Sequence, residues 1–167
     1  MIDIASWFSS LPPQLATPLI AMFPIGELRA ALPVALTVYD LPIWQAVLLS
    51  VFGNMIPVVG LLALYGPLSE WLSKHSTLAK HFFDWLFQAT RERHKEKFQK
   101  WGAAALILFV AIPIPVTGAW TGSVAAFVFG IPYKHALGYI FLGVCIASVI
   151  VTLLTLAGGG LYELFVH

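Results

Sequence analysis

Two ionisable side chains, Glu27 and Arg29, sit in the segment Phe23-Pro24-Ile25-Gly26-Glu27-Leu28-Arg29, directly after an uncharged run covering residues 4–26. A carboxyl group placed there can take up and release a proton. The guanidinium donates two parallel hydrogen bonds, a geometry matched to phosphate or carboxylate. At membrane depth each ionised group costs at least about 2.5–3.5 kcal/mol on insertion scales, so both must face a cavity or each other. Positions two apart on a regular helix do not face each other, and direct pairing requires an unwound turn. One reading is a proton-titrating carboxylate beside an anion-binding guanidinium. A structural ion pair, or a shallow interfacial location, explains the same two residues.

The second candidate stretch is Ile112-Pro113-Ile114-Pro115-Val116-Thr117-Gly118-Ala119-Trp120-Thr121-Gly122, which has no ionisable side chain. Its donors are the hydroxyls of Thr117 and Thr121, the Trp120 indole and the backbone N–H groups of residues 117–122. The start of a helix favours anions through its free N–H groups and its dipole. The threonines have a plainer use, hydrogen bonding back to helical carbonyls, and Gly118 and Gly122 can serve close helix packing. The chain contains no GxxxxGK[ST], HExxH or CxxC motif and no dinucleotide-binding glycine pattern. None of its histidines (His75, His81, His94, His135 and His167) lies deep in an apolar run. The expectation is a protein that is not an enzyme and needs no metal or cofactor.

The elements that position these stretches follow from composition. Hydrophobic residues make up 59% and charged residues 10% of the 167, far below the roughly one quarter charged that is usual for soluble domains. Four runs lack Asp, Glu, Lys and Arg: 4–26, 41–69, 101–133 and 135–162. Each is long enough to enter a bilayer, whose core takes about 20 apolar residues to cross. A net charge of +1 suggests no nucleic-acid partner, and the single Cys145 forms no internal disulfide.

Residues 42–66 and 133–157 are expected to be ordinary transmembrane helices. Residues 101–131 are too long for one span and are broken by Pro113 and Pro115. Residues 12–40 repeat that design, with Pro24 and Gly26 at the turn and Pro33 beyond it. Each is expected to be a re-entrant helical hairpin, although a kinked full span satisfies the same pattern. Between them, 67–100 carries seven of the nine basic residues and reads as an amphipathic cytoplasmic linker. The first residues, through Ile4, Trp7, Phe8 and Leu11, suggest a short interfacial helix.

Residues 34–64 match residues 90 further on at nine of 31 positions, among them Pro42/Pro132, Ala46/Ala136, Gly53/Gly143 and Ile56/Ile146. An offset of 89 pairs Pro24 with Pro113. The expected organisation is all-α and integral to the membrane, with two inverted repeats of hairpin plus transmembrane helix, at 1–66 and 101–167, joined by the 67–100 linker. Inverted repeats with broken helices characterise transporters.

The paired stretches Pro24-Ile25-Gly26-Glu27-Leu28-Arg29-Ala30-Ala31-Leu32-Pro33 and 113–122 resemble the prokaryotic small multidrug export protein family, itself similar to the DedA superfamily. The resemblance implies paired re-entrant hairpins and transport across the prokaryotic cytoplasmic (inner) membrane, with DedA relatives moving lipid-linked phosphates. One departure stands out: the second stretch has no arginine. The expectation is a gradient-coupled, homodimeric, multi-pass transporter moving an amphipathic anion or lipid phosphate. Substrate binding or coupling would fall to Glu27, Arg29, Thr117, Gly118, Trp120 and Thr121, with Pro24, Gly26, Pro33, Pro113, Pro115 and Gly122 shaping the turns. Export of drugs or other cations through Glu27 is the first alternative, and a structural or assembly role without transport is the second.

Overall fold

A computed structural model describes residues 8, 11–78, 80, 81, 84, 95–114 and 117–166. It is all-helical among these residues: α1 (Pro13–Met22), α2 (Glu27–Thr37), α3 (Ile43–His75), α4 (Lys95–Ala111), α5 (Ala119–Val128) and α6 (Tyr133–Val166). The expected interfacial helix before Leu11, the run 91–94 and the turn residue Pro115 lie outside the described residues.

Proline and glycine set the helix starts. Pro13 is the first residue of α1, where its missing N–H is no loss, and Pro42 precedes α3 as Pro132 precedes α6. Gly26, with φ of 99°, turns the chain between α1 and α2 in a region that side chains avoid. Pro33 does not mark a turn. It lies inside α2, where it removes one helical hydrogen bond without ending the helix. For the same reason α3 passes through Pro57 and Pro67 and ends at His75 rather than at 66. Gly122 likewise lies inside α5.

Two helices, Ile43–His75 and Tyr133–Gly158 within α6, are long and apolar enough to cross a membrane. Their outward faces carry Trp44, Leu48 and Phe52 on α3 and Leu142, Ile146, Val149 and Leu153 on α6, all exposed at helical spacing. Water does not favour such surfaces, and lipid does. Together with the apolar composition, they make this a membrane protein.

Among the described residues the larger apolar cluster includes Leu28, Leu32, Val58, Leu106, Val110, Ala126, Ile140 and Val144, and a smaller one joins Ile20, Ala21 and Ala31 of α1 and α2. Helix α1 packs on α2 and α3, α4 packs on α5 and α6, and the halves interlock through α3 against α5 and α6 and through α2 against α6. Small residues set how closely the helices approach. A Cβ at Gly53 would collide with the Pro18 carbonyl on α1. The equivalent Gly143 on α6 meets the Ile107 carbonyl of α4, where a Cβ would stand 2.9 Å away. Pro18 and Ile107 are 89 residues apart and the two glycines 90 apart, so the same close approach recurs in both halves.

Candidate functional site

The turns that end α1 and α4 meet. Glu27, the first residue of α2, is 7% exposed and has φ of 50°, a left-handed conformation uncommon outside glycine. That backbone aims its carboxylate at the start of α5. The Ala119 N–H donates to Glu27 Oε2 at 2.9 Å, and the Trp120 N–H donates to Oε1 at 3.1 Å. An anion thus satisfies two of the unpaired N–H groups at a helix N-terminus, where the dipole also favours it.

Gly118 makes room for this. A Cβ there would collide with the Glu27 carboxylate, and the Gly118 N–H is taken separately by Thr121 Oγ1 at 2.9 Å. Gly118 backbone is extended, so space rather than conformation demands the glycine. Gly118→Ala is therefore expected to lower the melting temperature of the purified protein by several degrees. Gly66→Ala, whose new methyl meets nothing within 4 Å, is expected to leave it unchanged or slightly raised.

Arg29, the third residue of α2, addresses the other side of the second tip. Its guanidinium donates to the carbonyl of Ile114, to the carbonyl of Ile112 at 3.0 Å and to Thr117 Oγ1 at 3.3 Å. Ile112 follows the last residue of α4, so a cation sits at the negative end of that helix's dipole. Glu27 and Arg29 each bond to the second tip, one at each helix end.

Trp120 completes the junction. Its indole N–H donates to the Met22 carbonyl, the last residue of α1, at 3.2 Å. In each half, a side chain from the first turn of the returning helix reaches the C-terminal end of the opposite half's descending helix. Arg29 does so toward α4 and Trp120 toward α1.

A sequence profile of the family described as "Putative small multi-drug export protein" matches residues 27–150, most of the chain, from Glu27 through Arg29 and the second tip to α6. The chain belongs to that family. No curated protein and no solved structure matches it.

In this small multi-drug export family member the six residues singled out for binding or coupling thus meet at one junction, and each is engaged by the protein itself. Thr117 donates its hydroxyl to the carbonyls of Ile112 and Ile114, each at 2.9 Å, and Thr121 bonds within its own turn. Those are the back-bonding arrangements open to threonine. Gly122 lets α5 approach α4, since a Cβ there would lie 2.6 Å from Val110 Cγ2. Pro24 lies in the first turn and Pro113 in the second.

Two further polar residues are buried on α3: Asn54, which the sequence offers as a hinge or lining feature, and Ser50, which escaped sequence reasoning. Ser50 is 0% exposed and Asn54 2%. Asn54 alone stands out in the sequence, as an amide within an uncharged span, and nothing marks Ser50 except its position one turn away.

Proposed function

We propose that the protein is a gradient-coupled membrane transporter of an amphipathic anion, in which the Glu27 carboxylate occupies the place that the substrate's anionic group takes during transport. The observation that supports this is the pair of hydrogen bonds from the start of α5 to Glu27, beside the guanidinium of Arg29. A phosphate or carboxylate headgroup offers the same chemistry as the side chain it would replace. Protonating Glu27 removes the charge that the Ala119 and Trp120 N–H groups hold and frees them. Deprotonation returns the carboxylate as a competitor. Proton uptake and anion binding are thereby linked at one site. Lipid-linked phosphates, the substrates implied by the DedA resemblance, fall in this class. The reaction needs no covalent step and no cofactor.

The architecture that serves this is a pair of re-entrant hairpins in inverted repeats, entering from opposite membrane faces and meeting at their tips. In support, α1 and α2 measure only about 15 and 17 Å at 1.5 Å per residue, half of a core of about 30 Å, and they pack on one another. With cysteines placed at Leu11 or Asp40 in a Cys145→Ser background, an impermeant maleimide should label both from the same face of the prokaryotic cytoplasmic membrane. Labelling from opposite faces would make 12–40 a kinked span and end the inverted arrangement. A single 18.3 kDa copy offers little material to enclose a pathway, which favours a homodimer.

The family's description favours a second reading, export of drug cations that exchange with a proton on Glu27. Proteoliposomes under a pH gradient distinguish the two. The anion reading predicts accelerated movement of a fluorescent short-chain phosphatidic acid and no effect on the lipophilic cation ethidium. The opposite pattern would establish cation exchange in its place.

A further inference from the structure

The Oγ of Ser50 and the Oδ1 of Asn54 are buried without a hydrogen-bond partner among the described residues. They lie four residues apart, on one face of α3, in the interior of a membrane protein. Pro57, which has no N–H, also leaves the Gly53 carbonyl between them without its helical donor. Three oxygen acceptors are thus gathered within one turn. Buried polar groups are almost always paired, and an exception calls for a reason.

Packing does not supply that reason. The positions 90 residues on, Ile140 and Val144 of α6, are buried at 0% and 2% exposure and are apolar. The same place in the second half is therefore filled by hydrocarbon. The polar atoms are closed to water where they are, and Gly53 beside them is pressed against the backbone of Pro18 on α1. Their retention makes sense if another arrangement of the protein wets them.

We infer that Ser50 and Asn54 line the transport pathway, that water and substrate donors reach them when α1 separates from α3, and that the structure described is the closed form. The inference takes its meaning from the transport reading, but its test does not require a known substrate. Single cysteines at Ser50, Asn54, Ile140 and Val144, in a Cys145→Ser background, are exposed in proteoliposomes to the impermeant reagent 2-sulfonatoethyl methanethiosulfonate. All four positions are buried here, at 2% exposure or less. S50C and N54C should react at least about tenfold faster than I140C and V144C, as expected when an open state is populated at a few per cent or less and only the first pair faces water in it. Equal protection of all four overturns the inference.

Asn54→Leu supplies an independent arm. Removing an unpaired buried acceptor should leave the melting temperature unchanged or raised, while slowing the labelling of S50C by making the wetted form less favourable. A lowered melting temperature would mean that Asn54 has a structural partner and would overturn the inference as well. Fast labelling of S50C and N54C combined with no phosphatidic acid flux would uphold the open pathway and reject the anion substrate.

Discussion

Glu27→Gln is expected to fold, to bind its anionic substrate regardless of pH, and to lose all flux driven by a pH gradient. Glutamine matches the protonated acid in size and has one carbonyl oxygen to offer the start of α5, but it cannot release a proton. It holds the site in its protonated form. Glu27→Ala goes further, leaving the Ala119 and Trp120 N–H groups without their acceptor. Each is a hydrogen bond to a charged group, worth roughly 1.5–3 kcal/mol, so a loss of about 3 kcal/mol or more is expected. The melting temperature in detergent and gradient-driven flux in proteoliposomes measure the two effects separately. Undiminished gradient-driven flux in Glu27→Gln would remove the carboxyl group from the coupling.

Arg29 is expected to give the second large effect, with a different signature. Its guanidinium joins three acceptors on Ile112, Ile114 and Thr117, a task for a planar fork rather than a point charge. Arg29→Met should cost about 2–4 kcal/mol through lost charged hydrogen bonds at the end of α4. Arg29→Lys keeps the charge but reaches fewer of the acceptors, and roughly half the loss is expected. Both variants should also weaken anion binding, since Arg29 is the cation of the junction. If Arg29→Lys binds short-chain phosphatidic acid as the parent does while its melting temperature falls, Arg29 is a helix cap and nothing more.

The sequence revealed the ends of the helices better than what joins them. Pro24, Gly26 and Pro113 mark turns because each acts on its own backbone, and such effects are local. The matched glycines Gly53 and Gly143 were visible through the repeat, and each marks a close approach of helices. Pro33 misled for the opposite reason. Inside an apolar helix, neighbouring helices and lipid leave the chain no better alternative, so α2 continues past it as α3 continues past Pro57 and Pro67. The bond from Glu27 to Ala119 joins residues 92 positions apart, and no local pattern encodes it. Even so, the choice of residues was informative. A carboxylate on one tip and free helical N–H groups on the other were recognisable as complementary, but the sequence did not show that the protein joins them to each other. Trp120 was read as a donor for a ligand, and its bond to Met22 became apparent only beside that of Arg29 in the other half.

The central claim is that an ionised Glu27 locks the two tips together and that its protonation releases them. Spin labels at Ile25, exposed on the first tip, and Val124, exposed on α5, report that separation directly in a Cys145→Ser background. Glu27 is held by α5 N–H groups, and Arg29 is the charged side chain at the same junction. Pulsed dipolar spectroscopy in lipid nanodiscs should give one short distance under alkaline conditions and a second, longer population on acidification. Glu27→Gln should show that longer population at every pH. A single distance that neither acidification nor Glu27→Gln alters would contradict the lock.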